Sequence, residues 1–303
     1  MYILKPFAHE TIWGGSKLLP YVENQKSKQI GHLYSLFDNC TGSNIIDNGN
    51  FRGIPFHAIF NHIKTQYKLT DFEYFPIVLA LVEARENLSI QVHPDDSAAY
   101  MLEGVKWGKN ESWYFIDQPK EGFIYNGCNC STVDQVKTMI EAGKGAEIAD
   151  RLPVKKGDYV YVPAGTLHAI TAGSFVYEIE ENSEITYRFY DYDRVDSNGH
   201  KRELHLTKAL TCIHTKQKSV VRNYSIGEIR ERLYTTGLLK NIHNYQNKSA
   251  TLECITVLDE SADEIIDGSQ VRFGTTVVLE PGEKIQSNIK IAMMARVNVE
   301  ERL

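Results

Sequence analysis

The sequence predicts an all-β-dominated fold in two unequal domains, on three observations. Short alternating or β-branched runs bounded by turn residues recur at 89–92, 113–116, 159–162, 175–179 and 186–190, and each reads as a strand. Helical periodicity is confined to short insertions between strands, at about 55–63, 97–103 and 132–149. Near residue 216 the pattern changes character, which divides the 303-residue chain into a domain over 1–215 and a smaller β domain over 216–303.

Each element has a local reason. In 55–63, His57, Ile59, Phe60 and Ile63 recur at the spacing of one apolar helix face. A second helix is expected over 97–103. The third opens at Thr132, where Thr132 and Gln135 form a capping box ahead of Val133, Val136, Met139 and Ile140, and it ends near Gly143 or Gly145. Beyond 216, a short helix is expected over 225–233. From Thr251 to Val299 strands follow, with turns at Asp267-Gly268 and Pro281-Gly282. That last stretch contains no histidine, and it is read as carrying no chemistry.

Composition excludes several classes. The longest apolar run, from Phe75 to Val82, is too short to span a membrane, and the first residues lack the basic region and apolar stretch of a signal peptide, so a cytoplasmic protein is expected. Five cysteines, with no CxxC pair, argue against a disulfide framework and a thiolate zinc cage; Cys128 and Cys130 read as buried small hydrophobes. A metal would have to be held by nitrogen and oxygen. A formal charge of −6, with no Lys/Arg-dense stripe, argues against nucleic acid as a partner.

The richest segment runs Gly157, five residues, Pro163, one residue, Gly165, two residues, His168. Gly157-Asp158 makes a turn, an apolar strand follows, Pro163 and Gly165 set a tight corner, and His168 opens the next strand. This spacing resembles the second characteristic motif of the cupin jelly roll, and it implies a jelly-roll barrel for the first domain. Upstream, Gln91 and His93 lie two residues apart on a strand and so project from one face, while Glu111 opens the next strand. With His168 these supply one amide, two imidazoles and one carboxylate, a donor set that leaves room for water or substrate, as catalytic zinc sites do. A divalent ion with one anionic ligand leaves net positive charge for a developing oxyanion. His9, His57 and His200 lack such partners and read as ordinary histidines. Alternation puts Glu184, Thr186, Arg188 and Tyr190 on one face, where Arg188 is either half of a surface ion pair or an inward cation beside a base such as Glu178.

The resemblance goes further. Leu4-Lys5-Pro6, Ile12-Trp13-Gly14-Gly15, Phe75-Pro76, Leu88-Ser89-Ile90-Gln91-Val92-His93-Pro94-Asp95, Gly108-Lys109-Asn110-Glu111, Trp113-Tyr114, Asn182-Ser183, Tyr187-Arg188, Tyr190-Asp191 and Arg202-Glu203-Leu204-His205-Leu206 are similar to the type I mannose-6-phosphate isomerases of the short bacterial kind, over about the first 210 residues. The resemblance implies a zinc-dependent aldose-ketose isomerase, with one Zn2+ per chain, that interconverts mannose 6-phosphate and fructose 6-phosphate through an enediol. The resemblance also implies a second cupin-like domain, and because this chain's is shorter than the family's it is expected to be a smaller, incomplete barrel. By position, Gln91, His93, Glu111 and His168 match its zinc ligands and Lys109 and Arg188 its active-site cations. Glu184 stands where the family usually has an aspartate, and Ser89 joins Lys109 and Arg188 in holding substrate. The base stays open between Glu184, Lys109 and a zinc-bound water. The expected partner is a sugar phosphate, with neither nucleic acid nor membrane; oligomeric state is not legible. Two departures, Ala80 in place of a lysine and His32 in place of an acidic residue, motivate an alternative: a degenerate homologue that binds a sugar or sugar phosphate as a sensor without turnover.

Overall fold

Turn chemistry lays out the strands as expected. Asp267-Gly268 joins Asp263–Ile266 to Ser269–Arg272, and Pro281-Gly282 falls between Thr276–Leu279 and the long strand Lys284–Val297. The structure is a computed structural model and describes residues 1–22, 29–196 and 198–299. Its contacts divide it into two compact units.

The first unit comprises residues 1–9, 17–81 and 224–303. Its main sheet is antiparallel, in the order Ile229–Arg230, Tyr234–Gln246, Lys284–Val297, Glu253–Val257, Thr276–Leu279, Tyr2–Lys5, Ile45–Ile46. Ile3, Ile255, Val257, Val277, Leu279, Ile285, Ile289 and Met294 fill its apolar core. The division differs from the expected break at 215. The N-terminal strand pairs with Thr276–Leu279, Ile3 opposite Val277, and so joins the beginning of the chain to its end. Thr276–Leu279 falls in the stretch read as strands, whereas the strand Tyr2–Lys5 and its pairing come from the fold's register alone. The helix expected over 225–233 is replaced by a 3-10 turn, Tyr224–Ile226, and the strand Ile229–Arg230. Ile229 and Arg230 pair with Thr236 and Thr235, a ladder that competes with a helix too short to be stable alone.

The second unit comprises residues 10–16 and 82–223 and carries two facing antiparallel sheets. One runs in the order Ala149–Pro153, Phe123–Cys128, His168–Ala169, Ile90–Val92, Tyr187–Tyr190; the other contains Val221–Arg222, Tyr159–Val162, Glu111–Asp117 and Phe175–Glu181 as neighbours. The two sheets stay separate ladders, so the jelly roll is not a closed barrel. Helices form at all three expected insertions, but the third ends at Glu141, short of the expected 149: a 3-10 turn, Gly145–Glu147, follows and Ala149 already opens a strand. Asp95 caps Asp96–Glu103 by accepting from the Ala98 amide, Gly104 ends it with φ +70°, and both capping-box bonds form at the start of Val133–Glu141. In Phe56–Ile63, which belongs to the first unit, Phe56 rather than His57 completes the buried face; His57 turns to Asp38 at 3.1 Å and to the ring of Tyr74. The periodicity left Leu206–Cys212 unannounced, a helix that buries Ala209 and Cys212 against the core containing Ile90, Val92, Tyr187 and Phe189. Cys128 and Cys130 lie in that same core, as expected.

Candidate metal centre

The glycine-proline corner behaves as its residues require. Gly157 and Gly165 take φ of +87° and +84°, and a Cβ on Gly165 would lie 2.5 Å from His214 Nδ1. The Gly165 amide donates to the His93 carbonyl at 2.8 Å, which ties the corner to the strand end that carries His93. His168 then enters its strand opposite Gln91 on one side and Asn126 on the other. Glu111 comes from the facing sheet, at the point where its two ladders end, paired with Val162 and Glu180.

Three of the expected ligands converge. His93, Glu111 and His168 are 1–2% exposed, and one donor atom from each lies within 4.8 Å of the others. His93 Nδ1 hydrogen-bonds the Ile185 carbonyl at 2.8 Å and His168 Nδ1 the Thr166 carbonyl at 2.8 Å. Carbonyls only accept, so both imidazoles carry their proton on Nδ1 and turn a bare Nε2 inward. Those lone pairs face Glu111, His168 Nε2 at 3.0 Å from Oε1 and His93 Nε2 at 3.4 Å from Oε2. Among the described residues, His93 Nε2 and Glu111 Oε1 have no hydrogen-bond partner, so these two are close acceptors without a donor. Burial pushes His93 down to about 4, against the pull of Glu111, which keeps its ring neutral at neutral pH. Acceptors converging in a dry interior are unfavourable unless a cation sits between them, and two imidazole nitrogens with one carboxylate suit a divalent transition metal. The fourth expected ligand, Gln91, lies at the edge of this group, its Nε2 3.4 Å from His168 Nε2 and its Oε1 accepting from Ser89 Oγ at 3.1 Å. Ser89 is thereby buried and engaged with Gln91.

The other expected residues surround this group unevenly. Lys109 is buried and ion-paired with Glu180. Burial lowers its ammonium, but Glu180, Glu111 and Glu178 outweigh that and raise it above the usual lysine range, so it stays charged. Arg188 is half-buried opposite Gln91, and its Nε has no hydrogen-bond partner among the described residues. Burial and the neighbouring Arg202, itself held by Asp191 at 2.6 and 2.8 Å, both work to lower it. Glu184 lies outside the strand Tyr187–Tyr190, exposed, one residue before the Ile185 carbonyl that orients His93. Ala80 is fully buried in Ile77–Glu83, and His32 is stacked on Tyr34 at 5.3 Å.

Sequence reasoning gave too little weight to Glu178 and passed over Glu180. Both lie beside Glu111, with donor atoms within 4.8 Å, and Glu178 accepts from Trp113 Nε1 at 2.8 Å. Burial, followed by the charges of Glu180 and Glu111, raises Glu178 well above the carboxylate range. The signal was present in the period-two spacing of 178 and 180, but the facing positions 113 and 111 become their neighbours only through the strand register.

With this geometry in hand, the relatives are informative. Mannose-6-phosphate isomerase ManA of Bacillus subtilis is 36% identical over 237 residues, 78% of this chain and 75% of its own. This chain belongs to the mannose-6-phosphate isomerase family. A Streptococcus mutans mannose-6-phosphate isomerase is 33% identical over 206 residues, 68% of this chain and 65% of its own. The crystal structure of the mannose 6-phosphate isomerase from Bacillus subtilis superposes with a TM-score of 0.82 at 27% identity, covering 97% of this chain and 99% of that one. No protein-family model matches the chain. Among the described residues, no helix is long and apolar enough to cross a membrane.

Proposed function

We infer that the chain interconverts mannose 6-phosphate and fructose 6-phosphate, and that Gln91, His93, Glu111 and His168 hold one Zn2+ per chain. The observation that carries this reading is the pair of imidazoles whose Nδ1 protons are committed to carbonyls while both Nε2 lone pairs face the Glu111 carboxylate. When bound, the zinc ion supplies a Lewis acid for the oxygens on the carbons that exchange a proton.

The protein's own groups do the rest. Lys109, kept charged by Glu180, is a fixed cation rather than a base, and it stabilises the negative oxygen of the enediol. Arg188, with an unpartnered Nε, takes the substrate phosphate; Ser89 is spent on Gln91, and Ala80 offers no charge. Glu184 is the base: its carboxylate takes the proton from C2 of the aldose and returns it to C1, while the hydroxyl proton passes from O2 to O1. Its segment also sets His93 through the Ile185 carbonyl, which couples the base to the metal set. The sensor alternative gains no observation of its own. We assign the protein to the cytoplasm, because all five cysteines are free, four of them buried.

The test is a coupled assay of fructose 6-phosphate formation from mannose 6-phosphate, with metal content measured on the same sample. Zinc-dependent turnover in the wild type and none in His168→Ala is expected. A folded, zinc-loaded wild type no faster than His168→Ala overturns the reading.

A further inference from the structure

Asn110 lies between Lys109 and Glu111 and is 7% exposed, yet the reaction gives it nothing to do. All its polar side-chain groups are oriented inside the protein. Its Oδ1 accepts from the Ala164 amide at 2.8 Å, and its Nδ2 donates to Glu181 Oε2 at 2.9 Å; both bonds are buried. Its backbone carbonyl accepts the Glu181 amide at 2.8 Å. These bonds sit where both ladders of the strand Glu111–Asp117 stop, at Val162 opposite Glu111 and at Glu180 opposite Glu111. Toward Ala164 the carboxamide supplies a cross-strand bond past the end of the ladder, and toward Glu181 it adds a side-chain bond to the one the backbone still makes.

What it ties together is the metal set. Ala164 belongs to the corner that leads to His168, and the next residue, Gly165, donates to the His93 carbonyl. The Lys109 amide donates to the Pro94 carbonyl, next to His93. Glu181 follows Glu180, the partner of Lys109. One side chain therefore fixes the spacing between the chain segments that carry Glu111, His168 and the Lys109–Glu180 pair, with His93 reached through the adjoining backbone bonds.

We propose that Asn110 is a positioning residue, whose carboxamide clamps the Pro163–Gly165 corner and Glu181 to the strand end and so sets the geometry with which Glu111 and His168 receive a divalent cation. The inference rests on the metal reading above. An aspartate keeps the acceptor for Ala164 but turns an oxygen on the Glu181 carboxylate, and a glutamine at 181 restores a donor from the other side.

The experiment measures Zn2+ affinity of the full chain by competition with a chromophoric chelator, together with the absorption of the Co2+-loaded protein. Asn110→Asp is expected to bind Zn2+ about 10- to 100-fold more weakly with a changed Co2+ spectrum, and Asn110→Asp/Glu181→Gln to recover to within about threefold of wild type. A folded Asn110→Asp with wild-type affinity and spectrum, one that loses thermal stability alone, or a double variant that fails to recover, overturns the proposal. Where Asn110→Asp does not fold, Glu181→Met is read in its place: it removes the acceptor at similar volume and must show the same loss, and unchanged affinity there overturns the proposal equally. A wild type that takes up no Zn2+ sinks the metal reading and this inference with it, whereas a wild type that binds Zn2+ beside unaffected variants sinks this inference alone.

Discussion

The two units are both built on antiparallel sheet and differ in what the sheet faces. In the first, the buried face is hydrocarbon: Ile3, Ile255, Val257, Val277, Leu279 and Met294. In the second, the space between the sheets holds His93, Lys109, Glu111, His168 and Glu178, all at most 8% exposed. Burying apolar surface is worth about 25 cal/mol per Å², whereas burying ionisable groups costs several kcal/mol unless they are paired. The first unit's sheet therefore stabilises its fold, whereas the second unit, beside its own apolar core around Ile90, Val92, Tyr187 and Phe189, also carries a buried ionisable cluster at a cost in stability.

The largest expected effect tests that cost directly. Glu111→Leu should abolish turnover, by at least about 10³-fold, while raising the unfolding midpoint of the metal-free protein, because it removes a carboxylate turned on two lone pairs. Turnover and thermal unfolding of the apo form are measured together, and a lowered midpoint breaks the comparison. Next in size, Ile255→Ala in the first unit should cost about 2–5 kcal/mol by denaturant unfolding and leave kcat/KM unchanged where the chain is still folded. Loss of activity in step with stability would show that the apolar interior also serves the site.

The smallest effect concerns the polar contacts that the first unit does keep. Tyr2 and Tyr67 donate their hydroxyls to Glu280, and although burial acts to raise that carboxyl, these bonds outweigh it and hold it below its ordinary 4.5. A carboxyl lowered by folding contributes stability above its unfolded value, and that contribution is lost as pH falls through the folded value. Glu280→Gln should therefore cost about 1–2 kcal/mol at pH 7 and less at acid pH, where the lowered carboxyl becomes protonated, as read from unfolding at neutral and at acid pH. A cost that is equal at both would mean that packing, not charge, is what Glu280 supplies.

Legibility differed between elements for physical reasons. The capping box at Thr132, the Asp95 cap and the Gly157–His168 corner are local, so spacing and residue type define them. His57 was misplaced by one helix position because an imidazole can complete an apolar pattern on paper, yet finds a better partner in Asp38. Leu206–Cys212 offers too few periodic positions to be seen against its neighbours, and its burial decides it. The cluster of His93, Glu111 and His168 was legible through its spacing. Glu178, Glu180 and Asn110 were not, because a polar residue at strand spacing looks the same whether it faces water or a metal site.

The sequence by itself determined the β-rich class, the short insertions, the corner glycines and the residue types of the site, since each follows from backbone freedom, capping or side-chain alternation within a few residues. The tertiary structure alone decided that the first strand pairs near the last and that Lys109 is held charged by Glu180. Register and burial between segments far apart in the chain set those outcomes, and neither is written in any local stretch of it.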